Sequence, residues 1–174
     1  MAERDLAPWL PALCAAALAQ AAAPPAVPEP LKVPAGEHLV LMAHASGVQI
    51  YECSPGAEHA AQWTLKGPDA VLRNAKGGVI GHHDAGPTWH HKDGSEVTGK
   101  ASAHADAPDG HSIPWLLLSA VDHRGSGVLA RVSSIQRLHT RGGAAPPASE
   151  CSASQLHAPV RVPYSADYYF YAPP

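Results

Sequence analysis

The chain of 174 residues lacks the short signatures that announce a chemistry. None of its three cysteines is part of a C-x-x-C pair, so thiolate metal ligation has no spacing behind it. Gly77, Gly78 and Gly81 do not make G-x-G-x-x-G, and no strand, glycine turn and helix surround them, which removes a dinucleotide fold. No G-x-S-x-G elbow is present, and Asp93-Gly94-Ser95 is ordinary turn chemistry, so nothing marks a hydrolase. The formal charge of -3 offers no broad basic face, which argues against nucleic acid as a partner. Long apolar runs are missing too. The stretch Leu10 to Ala23 is too short for a membrane span, and no internal repeat at a fixed period is visible.

That stretch, LPALCAAALAQAAA, ends in small residues of the A-x-A kind, and residues 1–23 read as an export signal. Glu3, Asp5, Pro8 and Pro11 depart from the usual pattern, and a buried N-terminal helix is the competing reading. Leu13 before Cys14 argues against a lipoprotein. Residues 24–34 (PPAVPEPLKVP) are a proline-rich lead-in, extended and linker-like because proline fixes φ and removes backbone donors. Residues 35–174 then form one domain. Cleavage near Ala23 leaves Cys53 and Cys151, an even count in an oxidising compartment, and a disulfide between them is expected; two free thiols are the alternative. The expected location is secreted, periplasmic or cell-envelope, with no transmembrane segment in the mature chain.

Helical periodicity is scarce beyond the lead-in. Strand-like runs bounded by Gly, Pro, Asp and Asn take its place. Glu37 to Ala45 and Val48 to Cys53 flank Ser46-Gly47 and predict a hairpin. Asn74 to Gly78 and Lys92 to Ser95 predict further turns, Ile113 to Val121 a buried strand, and Val160 to Phe170 an aromatic-rich final strand. The expected fold is an all-β, single-domain antiparallel sandwich or barrel, with room for one short helix. Leu129, Val132, Ile135 and Leu138 align at i, i+3 spacing, so a mixed fold with one helix near 129–138 is the alternative.

Histidine is what the chain has in abundance. Twelve lie between His38 and His157, and four fall in the run His82-His83 and His90-His91. As surface groups they would turn the charge positive below pH of roughly 6.5. A reversal near Gly86-Pro87 would bring His82 or His83 opposite His90 or His91, at about 5 Å across a hairpin. Adjacent histidines on a strand point to opposite faces, so at most one of each pair serves a given site. Two imidazoles with Asp84 or Asp93 would suit Zn²⁺ or Cu²⁺, although this is no recognised ligand spacing. The metal candidates are therefore His82, His83, His90, His91 and Asp93. A second constellation is aromatic. Tyr164, Asp167, Tyr168, Tyr169, Phe170 and Tyr171 either pack the core or, with Trp89 and Trp115, form a ligand platform. Gln136 and Arg137 add polar groups in an apolar stretch.

The motifs GVQIYEC (47–53), GPTWHHKDGS (86–95), IPWLLL (113–118), IQRLHTRGG (135–143) and VPYSADYYFY (162–171) occur in an order that resembles domain-of-unknown-function family 3455. That resemblance implies a secreted or surface protein of the kind found in bacteria and fungi, with no established activity. Some fungal members carry a malate dehydrogenase label, which the glycines above do not support. A histidine shortly before Gly-Pro-Thr-Trp fits the family pattern and corresponds to His83; His90 departs from it, as an acidic residue is usual after the Trp. The expectation is an exported binding or structural module without an enzymatic signature. It would hold an unknown small ligand or surface polymer at His83, Trp89, Trp115, Gln136, Tyr164, Asp167 and Tyr168. The alternative is a Cu- or Zn-binding protein, or a metal-dependent oxidoreductase, using the 82–91 run.

Overall fold

A computed structural model describes residues 25–56 and 60–174. The expected export signal lies outside the described residues. Eight strands follow one another: β1 (His38–Pro55), β2 (Ala61–Arg73), β3 (Val79–Asp84), β4 (Thr88–His91), β5 (Glu96–Ala105), β6 (Trp115–Arg124), β7 (Ser134–Gly142) and β8 (Pro159–Ala172). Each pairs antiparallel with the next, and β8 returns to pair with β1, closing the sheet into an up-and-down barrel. The all-β, single-domain reading holds. Among the described residues the only helical turns are three-residue 3-10 turns at Glu29–Leu31, Ala148–Glu150 and Ala153–Gln155. No helix among them is long and apolar enough to cross a membrane.

One local expectation and one alternative fail for instructive reasons. Ser46-Gly47 is not a turn, because β1 runs through it as one continuous strand. Gly47 pairs with Ala70 on one side and Tyr164 on the other, and a Cβ there would overlap the Asp69 carbonyl and Ala70. The glycine therefore serves close backbone approach within the sheet rather than chain reversal. The helix over 129–138 does not form either. Residues 128–131 make a turn, and β7 begins at Ser134. Leu129 and Val132 plug one end of the barrel from that turn, while Ile135 fills the interior from the strand. Their spacing is shared by a turn followed by a strand.

The period of two is cleanest on β8. Tyr164, Ala166, Tyr168 and Phe170 are buried inside, whereas Ser165, Asp167 and Tyr169 lie half-buried outside. They meet Ala43, Ala45, Leu72, Trp89, Val97 and Leu118 in the core. On the outer side Gln136 is 2% exposed, and its Nε2 donates to the Leu31 carbonyl at 2.7 Å. Tyr171 Oη donates to Gln136 Oε1 at 2.9 Å, so these two side chains seat buried Leu31 of the lead-in against the barrel.

The plugged end is clasped by Asp93. Its carboxylate accepts from Ser95 N and Ser95 Oγ across its own turn, and from Val128 N across the β6–β7 turn. Burial pushes this carboxyl up, but those hydrogen bonds and one with His91 outweigh it and hold it well below the usual range.

Cys53 and Cys151 are bonded, with a Cα–Cα distance of 5.4 Å and a sequence separation of 98. The bond ties the far end of β1 to the β7–β8 loop. Reduction should lower unfolding stability by about 4–5 kcal/mol in the chain-entropy account, seen as a shift in urea midpoint between oxidised and reduced protein. Gly47→Ala should cost a further ~1–3 kcal/mol through overpacking against β2. An unchanged midpoint for that variant would refute the close-approach reading.

Candidate functional site

The hairpin β3–β4 is shorter than the strands flanking it, and this shapes the wall. β2 pairs with β3 only from Ala70 to Arg73, and β4 pairs with β5 only between Thr88–His90 and Glu96–Thr98. Residues 61–69 of β2 therefore keep only their β1 partners and residues 99–105 of β5 only their β6 partners, which leaves the edges toward the hairpin without a ladder among the described residues. The β3–β4 turn forms the sill of the resulting notch. Gly99 N donates to Pro87 O at 3.0 Å, and Gly67, at φ +140°, lies against Ala85. A Cβ on Gly67 would come within 2.7 Å of the Ala85 Cβ, so only glycine fits there.

The notch opens into a cavity of about 570 Å³. Its apolar lining comes from Leu65, Pro68, Pro87, Trp89, Leu116, Leu118 and Val121. Its polar lining comes from Gln49, Lys66, His83, Lys100, Arg137 and Tyr168. Three of these are cations, and among the described residues no carboxylate lines the cavity. Leu65 at the rim is 53% exposed.

Within it, His83 stacks on Trp89 with ring centroids 4.3 Å apart, and Tyr168 meets both rings edge-on at 5.0 and 5.3 Å. His83 Nδ1 lies 2.8 Å from the Thr88 carbonyl. A carbonyl only accepts, so Nδ1 carries the proton and Nε2 is left as an acceptor. Burial lowers the His83 pKa to about 3; the Thr88 hydrogen bond opposes that, and Arg137, His90 and His82 reinforce it. The ring is neutral at pH 7. Burial likewise pushes the Tyr164 and Tyr168 phenols up, partly opposed by Arg137, so both stay protonated. Tyr164 Oη, Tyr168 Oη and Trp89 Nε1 are buried without a hydrogen-bond partner. An unsatisfied buried donor costs roughly 1–3 kcal/mol. Arg137 Nε and Nη2 donate to Pro114 O at 3.1 and 2.9 Å, fixing the guanidinium at the inner wall.

The four-histidine run divides by strand alternation. His83 faces inward. His82 and His90 stack outside at 4.2 Å, with the Asp84 carboxylate beside both. His91 sits at the plugged end with its Nδ1 3.0 Å from Asp93. Hence His83, His91 and Asp93 do not join His82 and His90 in one cluster, and Asp84 takes the place given to Asp93.

The aromatic candidates separate in the same way. His83, Trp89, Tyr164 and Tyr168 come together inside the barrel. Trp115, Gln136 and Asp167 are on its outer side. Asp167 accepts from His44 Nδ1 at 2.8 Å and His139 Nδ1 at 2.9 Å, and Trp115 lies edge-on to His139 at 5.3 Å. Lys66 and Lys100 are absent from the expected site residues, and Arg137 is named there only as a polar group beside Gln136. For Arg137 a signal existed, since it pairs with Tyr168 across the β7–β8 ladder and must share its face. Lys66 and Lys100 carried none, because only the short hairpin makes their strand edges into a rim.

The family model described as "Protein of unknown function (DUF3455)" matches residues 34–172, which contain the whole barrel. No curated protein matches the chain, and no solved structure does.

The buried His83 generates a pH dependence. Above its unfolded value of roughly 6.5 the ring is neutral in both states and contributes no slope. Between that and its folded value of about 3, the unfolded chain binds a proton that the folded chain does not, so stability falls as pH falls. The slope is about 1.4 kcal/mol per pH unit. Urea midpoints at pH 7, 5.5 and 4 should show it in the wild type. His83→Phe, which can keep the stack on Trp89, should flatten it; an equally steep decline in the variant would disprove this origin.

Proposed function

Because the chain belongs to the DUF3455 family, whose description leaves its function open, we propose from the barrel itself that it is an exported binding module for a small amphipathic carboxylate. The cavity carries this reading, as its lining among the described residues combines apolar walls with three cations and no acid. A ligand with an aromatic or aliphatic body would lie against Trp89, Leu116 and Leu118. Its carboxylate would accept from Arg137, which is already oriented by Pro114, and from the unpartnered Tyr168 hydroxyl. The volume is within the roughly 300–1,000 Å³ usual for small-molecule sites. Lys66 and Lys100 at the rim would draw an anion toward the notch.

Export is supported by the Cys53–Cys151 bond, since disulfides persist in oxidising compartments. No arrangement in the cavity resembles a nucleophile with its base. His83 offers an acceptor nitrogen, but among the described residues no serine, threonine or cysteine lines the cavity with it. Binding without turnover is the reading that these groups support.

Tryptophan fluorescence titration of the delipidated chain with a medium-chain carboxylate and the alcohol of the same length provides the test. Saturable one-to-one binding is expected, tighter for the carboxylate. Arg137→Leu should weaken the carboxylate by roughly 10- to 100-fold and leave the alcohol nearly unaffected. Equal affinity for both ligands, or no saturable binding of either, would overturn the proposal.

A further inference from the structure

The outer face of the β3–β4 hairpin carries a second constellation, built of residues that do not touch the cavity. His82 and His90 are directly opposed in the ladder, and their rings stack with planes 8° from parallel. His90 Nε2 is 3.3 Å from the Asp84 carboxylate, and His82 Nε2 is 3.8 Å from it. The three ligand atoms lie within 4.8 Å of one another. Tetrahedral zinc holds N and O ligands at about 2.0–2.1 Å, which sets neighbouring ligand atoms about 3.3 Å apart. The His90–Asp84 separation already has that value. His82 is 60% exposed and free to turn its ring toward them.

An independent observation concerns the other nitrogen of His90. Its Nδ1 lies 3.1 Å from Glu96 Oε1, across the β4–β5 ladder. His90 is thus bracketed by two carboxylates. If Nδ1–H donates to Glu96, Nε2 presents a lone pair toward Asp84, and two acceptors face one another. A metal cation between them resolves that arrangement, as would a second ring proton. A carboxylate on the distal nitrogen is also how metal-ligating histidines are usually oriented.

The surroundings leave room for a further ligand. Asp84, His90 and Glu96 border a polar depression of about 240 Å³, shared with Thr88, Thr98 and Asp122. His123 on the same rim is engaged elsewhere, its Nε2 lying 2.7 Å from Val132 O.

We propose that His82, Asp84 and His90 bind a divalent metal of the zinc class, with Glu96 orienting His90 and one coordination position open to solvent. Two imidazoles and one carboxylate suit Zn²⁺ and exclude the all-oxygen preference of Ca²⁺ and Mg²⁺. The site is separate from the carboxylate cavity. It lies across the same two strands whose turn forms the sill of the notch, so an occupied site would brace that hairpin.

The test uses the full chain without an affinity tag, stripped with EDTA and titrated with ZnCl₂ by calorimetry, and with CoCl₂ by visible absorption. One equivalent of Zn²⁺ should bind, and Co²⁺ should show the intense bands of tetrahedral coordination. His90→Ala and Asp84→Asn should abolish stoichiometric binding, and Glu96→Gln should weaken it about 10- to 100-fold. The double variant H44A/H139A, which removes the pair around Asp167, should bind as the wild type does. All five substitutions lie on the outer side of the barrel, and unchanged circular dichroism establishes that each of the four variants is folded. No stoichiometric uptake by the wild type, or uptake that survives His90→Ala, would overturn the proposal.

Discussion

The ladder between the first and last strands is the interaction on which the rest of this structure depends. It runs from His38 opposite Ala172 to Glu52 opposite Pro159, and it turns an open meander into a closed barrel. Closure removes the two free edges that an eight-stranded sheet would otherwise expose. It is also the least local pairing in the chain, so its loop-closure entropy must be met by burial along the whole of β8. That explains why β8 holds Tyr164, Tyr168 and Phe170 on one face at strict alternation. The Cys53–Cys151 bond acts at the other end of the same problem, holding the β7–β8 loop to β1 beyond the last ladder pair. Without β8 seated between β1 and β7, Tyr168 would not face Arg137, and the cavity would have no back wall.

Inside the closed sheet the filling is uneven. Leu129, Val132, Ile135 and Phe170 pack one end densely, with the Trp89 indole lying across the interior. Gly99 permits that: an added Cβ there would meet Trp89 at 3.1 Å and Leu118 at 3.3 Å. Toward the notch the interior becomes polar, with Gln49, His83, Tyr164 and Tyr168 all buried. A barrel selected for stability alone would place apolar side chains at those positions, because buried polar groups repay their desolvation only when fully paired. Two of them, Tyr164 and Tyr168, are unpaired donors, as is the neighbouring Trp89 indole. The polar end is where the fold concedes stability.

What was legible in the sequence follows from how local the responsible physics is. The turns at Asn74–Gly78 and Lys92–Ser95 were readable because they rest on residues with turn preferences acting on their own backbone. Asn74 indeed accepts from both Lys76 N and Gly78 N. The strand alternation that splits adjacent histidines was equally local. The reversal at Ser46-Gly47 was misread because the glycine answers to β2 across the sheet, not to its own neighbours. The i, i+3 spacing of Leu129 to Leu138 misled for the same reason, since the barrel end and the barrel interior both demand apolar residues there. The notch was invisible. It arises from a mismatch of lengths between β3–β4 and the flanking strands, a property of four elements together. With it went Lys66, Lys100 and the distinction between Gln136, which holds the lead-in outside, and Arg137, which faces the cavity.

The β3–β4 hairpin shows how one register produces both candidate sites. His83 opposite Trp89 faces in, and His82 opposite His90 faces out. A slip of one residue would bring His90 into the core and expose the Trp89 indole, burying a second imidazole at the cost of a large apolar group. The turn prevents this. Gly86 adopts φ +118°, which only glycine takes readily, and His83 Nδ1 is anchored to the Thr88 carbonyl across the same turn. Gly81, opposite His91, adds a further restraint, since any side chain there would overlap the His90 carbonyl. The inner stack and the outer cluster are therefore coupled through one short piece of backbone. A change that loosens the turn should disturb both, whereas a change on either face alone need not reach the other.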